Sequence, residues 1–358
     1  MVQMSSSATP ITSAVVGCGA ISFEHLAYLA DSNLTTLVAT CDSSSASADF
    51  AKSQYRAGQS FTDFNTMMAS CHPTVVHVLT PPHTHRALIE QCLNAGSHVV
   101  CEKPMTATFA ETDALLTMAA NSNRVLIESR NLLYNDPIIA IDQLVAAGKL
   151  GDVREVEILL SLDLVSGRFG DLNLHGAGVQ LPGGAVHDFL PHLAYLLLHF
   201  FGDIDHVDRV KGSLTNASGN SRIGFDQLDA LVTAGKLRGR LRLASDLKPD
   251  TFRVAVRGTL ASVETDLYNP FLRLEGGINT GKRAPIEQFI SGVKLSAAGA
   301  MNFKNKVLQH GGYHGMPRML DAVYQSIATG SAPPITQRNI RATALLVDQL
   351  VQLGQEHS

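Results

Sequence analysis

Short apolar runs alternate with amphipathic stretches through the first 130 residues of the chain. Runs of strand length occur at 14–16, 36–41, 75–79, 98–101 and 124–127. Between them, apolar residues recur at helical spacing. Nearly continuous apolar strands separated by helices are typical of a parallel sheet that is covered on both faces. The pattern therefore predicts a doubly wound α/β domain.

The pattern changes beyond residue 130. A helix predicted over 138–147 is followed by long β-rich runs with hairpin spacing, which favour a mostly antiparallel sheet. These runs lie at 153–162, 207–214, 228–243 and 252–256. Residues 281–307 have weak periodicity and predict an irregular loop. Two helices, over 316–329 and 339–353, are expected to close the chain.

The two patterns divide the 358 residues into two domains. We expect a short disordered arm over 1–12, then the doubly wound domain over 13–133. A second domain is expected over 134–335, followed by a C-terminal helix over 336–358. The predicted fold class is α/β, with a parallel sheet first and an α+β domain on an open, mostly antiparallel sheet second.

Composition and charge narrow the class of partner. The net charge is −4 and no cluster of Lys and Arg occurs, so neither nucleic acid nor an anionic membrane is an expected partner. The longest apolar stretch, 189–201, is too short to cross a bilayer. The Ser-rich start does not resemble a signal peptide, and the five cysteines form no C-x-x-C pair. These features predict reduced thiols and a cytoplasmic protein.

A glycine motif follows the first predicted strand. It reads Gly17-Cys-Gly19-Ala20-Ile21-Ser22, which is G-x-G-x-x-G with Ser in the third place. The first glycine permits a tight turn, and the second lets a pyrophosphate approach the backbone. The following helix offers free N–H groups to the phosphates. The motif predicts a dinucleotide site.

Asp42 ends the second predicted strand, about 20 residues beyond the motif, where a dinucleotide site places an acid. A carboxylate there accepts hydrogen bonds from the adenosine ribose and repels a 2′-phosphate. The cofactor expected is therefore NAD, in preference to NADP. The alternative is that Asp42 only caps the helix that follows it, and the residue alone does not decide between the two.

Two polar loops follow the next two strands. Thr80-Pro81-Pro82-His83-Thr84-His85 comes after the third strand and Glu102-Lys103-Pro104 after the fourth. Both are expected at the carboxyl ends of parallel strands, where open α/β sheets bind ligands. Lys103 is then either a solvated loop lysine or a partly desolvated amine that contacts a cofactor and a reacting hydroxyl.

A third cluster lies in the second domain, where His187, Asp188 and His192 begin a predicted amphipathic helix. Residues four apart share a helical face, so Asp188 and His192 are expected on one side, and that face continues to Tyr195. The alternatives are that His192 is a histidine of the core and that Asp188 is an acid in the first helical turn, where the helix dipole favours it. A metal site is disfavoured because His187 and Asp188 point in different directions and no fourth ligand is evident.

Taken in order, these motifs resemble the Gfo/Idh/MocA oxidoreductases. The residues that carry the resemblance are Gly17-Cys-Gly19-Ala-Ile-Ser22, Thr80-Pro81-Pro82-x-x-His85, Glu102-Lys103-Pro104 and Gly183-Gly184-Ala-x-x-Asp188-x-x-x-His192. The resemblance implies an N-terminal Rossmann domain and a C-terminal domain whose open sheet forms homodimers or homotetramers. It also implies hydride transfer between a nicotinamide cofactor and a hydroxyl or carbonyl carbon of a sugar, cyclitol or sugar derivative.

The resemblance also implies roles for single residues. Lys103 corresponds to the lysine that contacts nicotinamide and the reacting hydroxyl, His192 to the general acid/base, and Asp188 to the acid that orients substrate or histidine. Glu102 and His85 correspond to cofactor-pocket positions. A cis peptide bond is expected between Lys103 and Pro104.

Further contacts complete the predicted site. Thr80 and Pro81 are expected to contact the cofactor, and Asn131, Tyr134 and His187 to contact the substrate. The Asn-Leu-Leu that precedes Tyr134 departs from the Arg-aromatic pattern of many sugar dehydrogenases, and His187 is an addition to the pattern.

The chemistry requires a hydride acceptor near carbon and a base near oxygen. An imidazole suits the proton transfer near neutral pH, and a lysine stabilises a developing alkoxide. Two other functions use the same parts: an NAD-dependent glycosidase that oxidises its substrate transiently, and a non-catalytic NAD(P)-binding regulator.

Overall fold

The computed structural model describes residues 11–164, 180–276 and 314–355, together with groups of two or three residues between 285 and 300. These residues form two units. The first holds the described residues up to 106, 110–129 and 316–337. The second holds residues 107–109 and the described residues of 130–315 and from 338 onward. The predicted irregular loop over 281–307 lies mostly outside the described residues, but those described between 285 and 300 are helical, so that prediction is wrong for them.

The first unit is built on a six-stranded sheet in the order β3-β2-β1-β4-β5-β6, with every pair parallel. Its strands are β1 (Ile11–Val16), β2 (Thr35–Cys41), β3 (Gln59–Phe61), β4 (Val75–Val78), β5 (His98–Cys101) and β6 (Leu126–Glu128). Every residue of β4 is buried, as expected for a strand covered on both faces. The strand order reverses beside β1. Open α/β sheets bind their ligands at this point, at the edge where the strands end.

The helices of both units are α1 (Ser22–Asp31), α2 (Ser45–Tyr55), α3 (Phe64–Cys71), α4 (Pro82–Asn94), α5 (Phe109–Asn121), α6 (Asp136–Ala146), α7 (Leu190–Phe201), α8 (Met316–Thr329) and α9 (Gln337–Gln352). The first five follow strands of the parallel sheet, which gives the predicted doubly wound arrangement. The predicted closing helices correspond to α8 and α9.

Helix α8 differs from the prediction in its placement. Residues 316–335 were expected in the second domain, but α8 packs against α1 in the first unit. Its Tyr324 is fully buried, and the Tyr324 hydroxyl lies 2.6 Å from the Ser13 hydroxyl of β1. Such a contact joins residues 311 positions apart, so no local pattern announces it.

The second unit contains a seven-stranded sheet in the order β13-β12-β11-β7-β10-β9-β8. Its strands are β7 (Val153–Ser161), β8 (Arg209–Thr215), β9 (Gln227–Ala234), β10 (Leu237–Ala244), β11 (Thr251–Gly258), β12 (Ala261–Asp266) and β13 (Arg273–Gly276). Among the described strands of this second sheet, only β7 and β10 pair in parallel. The prediction of a mostly antiparallel second sheet is therefore confirmed.

One face of this sheet is covered and the other is open. On β10, Gly239, Leu241 and Leu243 are buried, while the arginines that alternate with them are exposed. A Cβ added to Gly239 would lie 2.6 Å from Leu197 on α7, so the helix packs closely on this strand. This alternation is typical of an antiparallel sheet with one solvated face.

The predicted element boundaries mostly hold. The run at 228–243 forms the hairpin β9–β10, which turns at Gly235 with φ +58°. Strand β1 begins at Ile11, inside the predicted arm, because Ile11 and Thr12 already pair with β2. Residues 1–10 lie outside the described part of the chain.

Candidate active site

The glycine loop (residues 17–22) connects β1 to α1. Gly17 has φ +91°, and a Cβ there would lie 2.7 Å from the Leu79 carbonyl group, so this position requires glycine. A Cβ at Gly19 would meet no described atom within 4 Å. The backbone at Gly19 is therefore open to the close approach of a ligand, as a pyrophosphate needs.

The rest of the loop explains why serine suffices in the third place of the motif. Ser22 is fully buried, and its hydroxyl donates to the Gly19 carbonyl at 2.6 Å. Helix α1 begins here, directly after Ile21, and Ala20 is exposed on the loop. The first N–H groups of the helix are thus positioned as in an anion-binding helix terminus.

Asp42 holds the glycine loop in place. Its Oδ2 accepts from the Cys18 N–H at 2.8 Å, and its Oδ1 accepts from the Ser44 N–H at 2.8 Å. The N-cap of α2 is Ser44, whose hydroxyl accepts from the Ser47 N–H. The alternative that Asp42 caps α2 is therefore excluded. Each carboxylate oxygen has a second lone pair for a ligand hydroxyl.

His85 joins two loops at the carboxyl edge. Its Nε2 lies 2.7 Å from the Thr80 carbonyl oxygen, and its Nδ1 lies 3.0 Å and 3.2 Å from those of Pro104 and Met105. Only an imidazolium could donate from both nitrogens, but burial lowers the pKa of His85 and this outweighs the opposing effect of the carbonyls. The neutral ring then donates through its shorter contact, from Nε2 to Thr80. The ring is fully buried, and its hydrogen bonds hold these two loops together.

Glu102 anchors the turn that carries Lys103. Its Oε1 lies 3.1 Å from His25 Nε2, and its Oε2 accepts from the Lys103 N–H at 3.2 Å. Burial opposes its ionisation, but hydrogen bonds from His25 and Ser129 and the charge of Lys103 outweigh burial and lower the pKa of Glu102. The Lys103–Pro104 bond is cis, which confirms that prediction.

In the second unit, His192 lies in the first turn of α7, and its ring is held by Tyr195. His192 Nδ1 and the Tyr195 hydroxyl are 2.7 Å apart. Tyr195 is only 1% exposed, and the Arg130 guanidinium carbon lies 5.5 Å from its ring centroid. The three-residue spacing of Tyr195 from His192 is the signal that identifies this orienting role.

Asp188 lies outside the helix that carries His192, so the expected shared α-helical face is not formed. Residues Gly184–Asp188 form a 3-10 turn, and α7 begins at Leu190 with Pro191 in its first turn. Proline is favoured there because its missing N–H would be unpaired anyway. Gly184 has φ +61°, which sets the turn. Asp188 is half-buried.

His187 is 1% exposed and neutral. Its Nδ1 accepts from the Gly183 N–H at 3.1 Å, so the proton resides on Nε2, for which the described residues provide no hydrogen-bond partner. Burial lowers the pKa of His187 to about 4. The carboxylate of Asp188 opposes this shift only in part. His187 therefore remains a hydrogen-bond donor throughout the neutral range.

This burial predicts a pH dependence of stability. The folded-state pKa of about 4 lies below the ordinary value of 6.5, so His187 stabilises the fold fully above pH 6.5. As the pH falls from 6.5 to 4 the unfolded chain gains the proton first, and the free energy of unfolding should drop by about 3 kcal/mol. Denaturant titrations at several pH values measure this.

The matched variants are His187→Asn, which keeps an acceptor for Gly183 but does not titrate, and His206→Asn at an exposed histidine. His187→Asn should reduce the drop in the free energy of unfolding between pH 6.5 and 4, and His206→Asn should leave that drop unchanged. Equal curves for both variants would contradict the assignment.

Asn131 and Tyr134 lie in a 3-10 turn that precedes α6. Asn131 is buried, and Tyr134 is half-buried with its pKa raised by burial. A Cβ on Gly315 would lie 2.0 Å from the Asn131 carbonyl oxygen, so the backbone packs tightly there. Residues 311–313, shortly before this glycine, lie outside the described part of the chain.

The predicted residues thus fall into two sets. The cofactor candidates and Lys103 gather at the carboxyl edge of the first sheet, while Asp188, His192 and the substrate candidates belong to the second unit. Among described residues, His, Cys, Asp and Glu form no group of three or more that could hold a metal ion. The helices of the described segments are all too short or too polar to traverse a bilayer.

Comparison with known proteins gives a match over residues 11–129 to the Gfo/Idh/MocA model, described as an oxidoreductase family with an NAD-binding Rossmann fold. An uncharacterized oxidoreductase of Schizosaccharomyces pombe is 30% identical over 151 residues, 41% of each chain. A dTDP-3,4-didehydro-2,6-dideoxy-alpha-D-glucose 3-reductase of Streptomyces violaceoruber is 34% identical over 126 residues, 34% of this chain and 35% of the relative. The matched stretch thus spans about two fifths or less of these relatives.

A solved structure extends the similarity to both units. The WlbA dehydrogenase from Bordetella pertussis, in complex with NADH and UDP-GlcNAcA, has a TM-score of 0.79 and 17% identity, covering 98% of this chain and 96% of that one. At this identity the similarity establishes the fold, an α/β architecture with a Rossmann sheet and a second mixed sheet. Residues 11–129, which form most of the first unit, thus match the NAD-binding Rossmann fold of the Gfo/Idh/MocA oxidoreductase family.

Proposed function

We propose that this protein is an NAD(P)-dependent oxidoreductase that transfers a hydride between a nicotinamide cofactor and a hydroxyl or carbonyl carbon of a sugar, cyclitol or sugar derivative. The observation that carries the proposal is the glycine loop at the point where the strand order reverses: its backbone is open at Gly19, and its Cys18 N–H donates to Asp42. The sugar class is supported by the Streptomyces relative, named as a sugar reductase, and by the Bordetella neighbour solved with a nucleotide sugar.

The residues of the carboxyl edge fit a dinucleotide. Residues 17–21 would bind the pyrophosphate, Asp42 the adenosine ribose, and Thr80 and Pro81 the nicotinamide half. Glu102 and His85 would hold the two loops that border it. When bound, the nicotinamide ring accepts or delivers the hydride. A carboxylate at position 42 favours NAD over NADP.

Side chains of the protein would move the proton of the reacting hydroxyl and stabilise the charge that develops on its oxygen. His192, oriented through Nδ1 by Tyr195, would exchange the proton of the reacting hydroxyl. The Lys103 ammonium would stabilise negative charge that develops on that oxygen. Asp188, Asn131, Tyr134 and His187 are proposed to bind the remaining substrate hydroxyls, with the His187 Nε2–H as a donor.

We expect Asp42→Asn to shift cofactor choice toward NADP. The amide can still accept the Cys18 N–H, but the charge that repels a 2′-phosphate is gone. The ratio of kcat/KM for NADP to that for NAD should rise about tenfold, which corresponds to about 1.4 kcal/mol. Steady-state kinetics with both cofactors measures it.

The control is Asp31→Asn, which removes the same charge from an exposed residue at the end of α1. It should leave the ratio unchanged. If Asp42→Asn behaves like this control, the ribose role of Asp42 is refuted.

The open face of the second sheet is a proposed surface for a homodimer or homotetramer. Its exposed arginines are paired with acids, for example Arg257 with Glu155 and Glu157 at 2.9 Å each, and Leu231 is 56% exposed among them. Paired charges around an exposed apolar residue suit a surface that becomes buried in an assembly.

The function is tested by measuring reduced cofactor at 340 nm while NAD or NADP is mixed with nucleotide sugars, free hexoses, glycosides and cyclitols. The control is Gly19→Val, whose side chain enters open space and should leave the fold intact while blocking the cofactor. Cofactor reduction by the wild type and not by the variant supports the proposal. Glycoside cleavage without net reduction, or cofactor binding without any turnover, would replace it by the glycosidase or the regulator.

A further inference from the structure

A buried chain of hydrogen bonds crosses the first unit and ends at Glu102. Tyr324 OH lies 2.8 Å from His77 Nε2, His77 Nδ1 lies 2.8 Å from His25 Nδ1, and His25 Nε2 lies 3.1 Å from Glu102 Oε1. Tyr324, His77 and His25 are each 0% exposed. The chain therefore links α8, β4 and α1 to the turn after β5.

The network ends on a carboxylate, which fixes the direction of its last hydrogen bond. An ionised Glu102 can only accept, so His25 donates to it from Nε2. The His25 and His77 Nδ1 atoms share one proton, and His77 Nε2 and the Tyr324 hydroxyl share another. The Tyr324 hydroxyl is also hydrogen-bonded to that of Ser13, at 2.6 Å.

The charge states of two members support this arrangement. Burial and the neighbouring His25 keep the pKa of His77 well below its usual value, so the His77 ring is neutral. The pKa of Glu102 is lowered, so its carboxylate is ionised. A buried network whose members are all hydrogen-bonded rigidifies the elements that it joins.

We infer that His25, His77 and Tyr324 are positioning residues, which orient the Glu102 carboxylate and thereby hold the turn that carries Lys103. Oε1 of Glu102 is held by His25, so Oε2 is directed at the Lys103 N–H. The inference rests on the proposed function, because it gives the hydrogen-bond chain the role of positioning the Lys103 amine. A fold-stabilising role alone would not require the chain to end on this turn.

The decisive pair of variants is His25→Gln and His25→Met, which have similar size and shape. The glutamine amide can donate to Glu102 Oε1 as the imidazole does, while methionine cannot. We expect His25→Gln to retain most of the wild-type kcat. His25→Met should lower kcat on the order of 100-fold with little change in the KM for the cofactor, because an amine displaced by about 1 Å loses this much. Equal loss in both variants would overturn the inference.

A second readout needs no activity. In protein labelled with [15N]lysine, the Lys103 amide resonance should shift in His25→Met and in Tyr324→Phe, which removes the hydroxyl that is hydrogen-bonded to His77. The resonance should not shift in Tyr28→Phe. The Tyr28 ring lies beside that of Tyr324, with 5.7 Å between the centroids, but the Tyr28 hydroxyl is not part of the hydrogen-bond chain. An unmoved Lys103 amide in Tyr324→Phe, or an equal shift in Tyr28→Phe, would refute the positioning role.

The two readouts separate this inference from the proposed function. A wild-type protein that reduces no cofactor with any substrate contradicts the function, while the amide shifts still decide whether the chain holds Lys103. If His25→Met does not fold, Tyr324→Phe and Tyr28→Phe provide both the kinetic and the spectroscopic comparison. In that pair the inference expects a lower kcat in Tyr324→Phe alone.

Discussion

Replacing Lys103 with alanine should lower kcat by about 10²- to 10³-fold, the usual cost of removing a group that stabilises an oxyanion. Lys103 follows Glu102 at the carboxyl edge of the Rossmann sheet, on a turn held by the carboxylate and by a cis peptide bond. The cofactor is proposed to be held mainly by the glycine loop and Asp42. The Kd for NADH, measured by nicotinamide fluorescence, should therefore change by less than about threefold.

The control for Lys103 is Lys236→Ala, which removes an exposed amine from the turn between β9 and β10. It should leave kcat and cofactor affinity unchanged. Wild-type turnover in Lys103→Ala would end the catalytic assignment. A loss of NADH affinity as large as the loss of kcat would assign Lys103 to cofactor binding alone.

His192→Asn should lower kcat by about 10²- to 10⁴-fold, the range expected for the loss of a general acid/base. The asparagine can still bond to the Tyr195 hydroxyl, so the local packing is retained while the titrating group is lost. The pH profile of kcat/KM should lose the ionisation that the imidazole contributes. Profiles of wild type and variant across the neutral range measure both effects.

His199→Asn is the matched control on the same helix. His199 is exposed at the end of α7, where its Nε2 lies 2.7 Å from Asp142 Oδ1. Its replacement should leave the pH profile intact. A profile for His192→Asn that keeps the wild-type shape would mean that another group moves the proton.

The sequence predicted the first sheet well because its signals are local. The strands β4 and β5 are short apolar runs bounded by turn residues, and the glycine loop has a required spacing from its strand and from Asp42. The missed strands β3, β12 and β13 are short or mixed in polarity and lie toward the edges of their sheets. Their pairing depends on neighbours and not on their own pattern.

The candidate site likewise contains residues that local patterns predicted and contacts that they did not. Its motif residues were predicted from spacing, and the helix-cap alternative for Asp42 was removed only by seeing that Ser44 caps the helix. The shared helical face of Asp188 and His192 failed because the helix begins only at Leu190. The hydrogen-bond chain from Tyr324 to Glu102 could not be predicted from the sequence, because His77 and Tyr324 are 247 positions apart. Buried histidines carry no periodic signal of their own.

Hydride transfer itself is tested most directly by isotope. A substrate found by the 340 nm assay is prepared with deuterium on the carbon of the reacting hydroxyl and incubated with oxidised cofactor, and the reduced cofactor is analysed by mass spectrometry and NMR. The proposed chemistry predicts one deuterium at C4 of the nicotinamide for each carbonyl formed. Oxidised product accompanied by unlabelled cofactor, with the deuterium released to water, would contradict it.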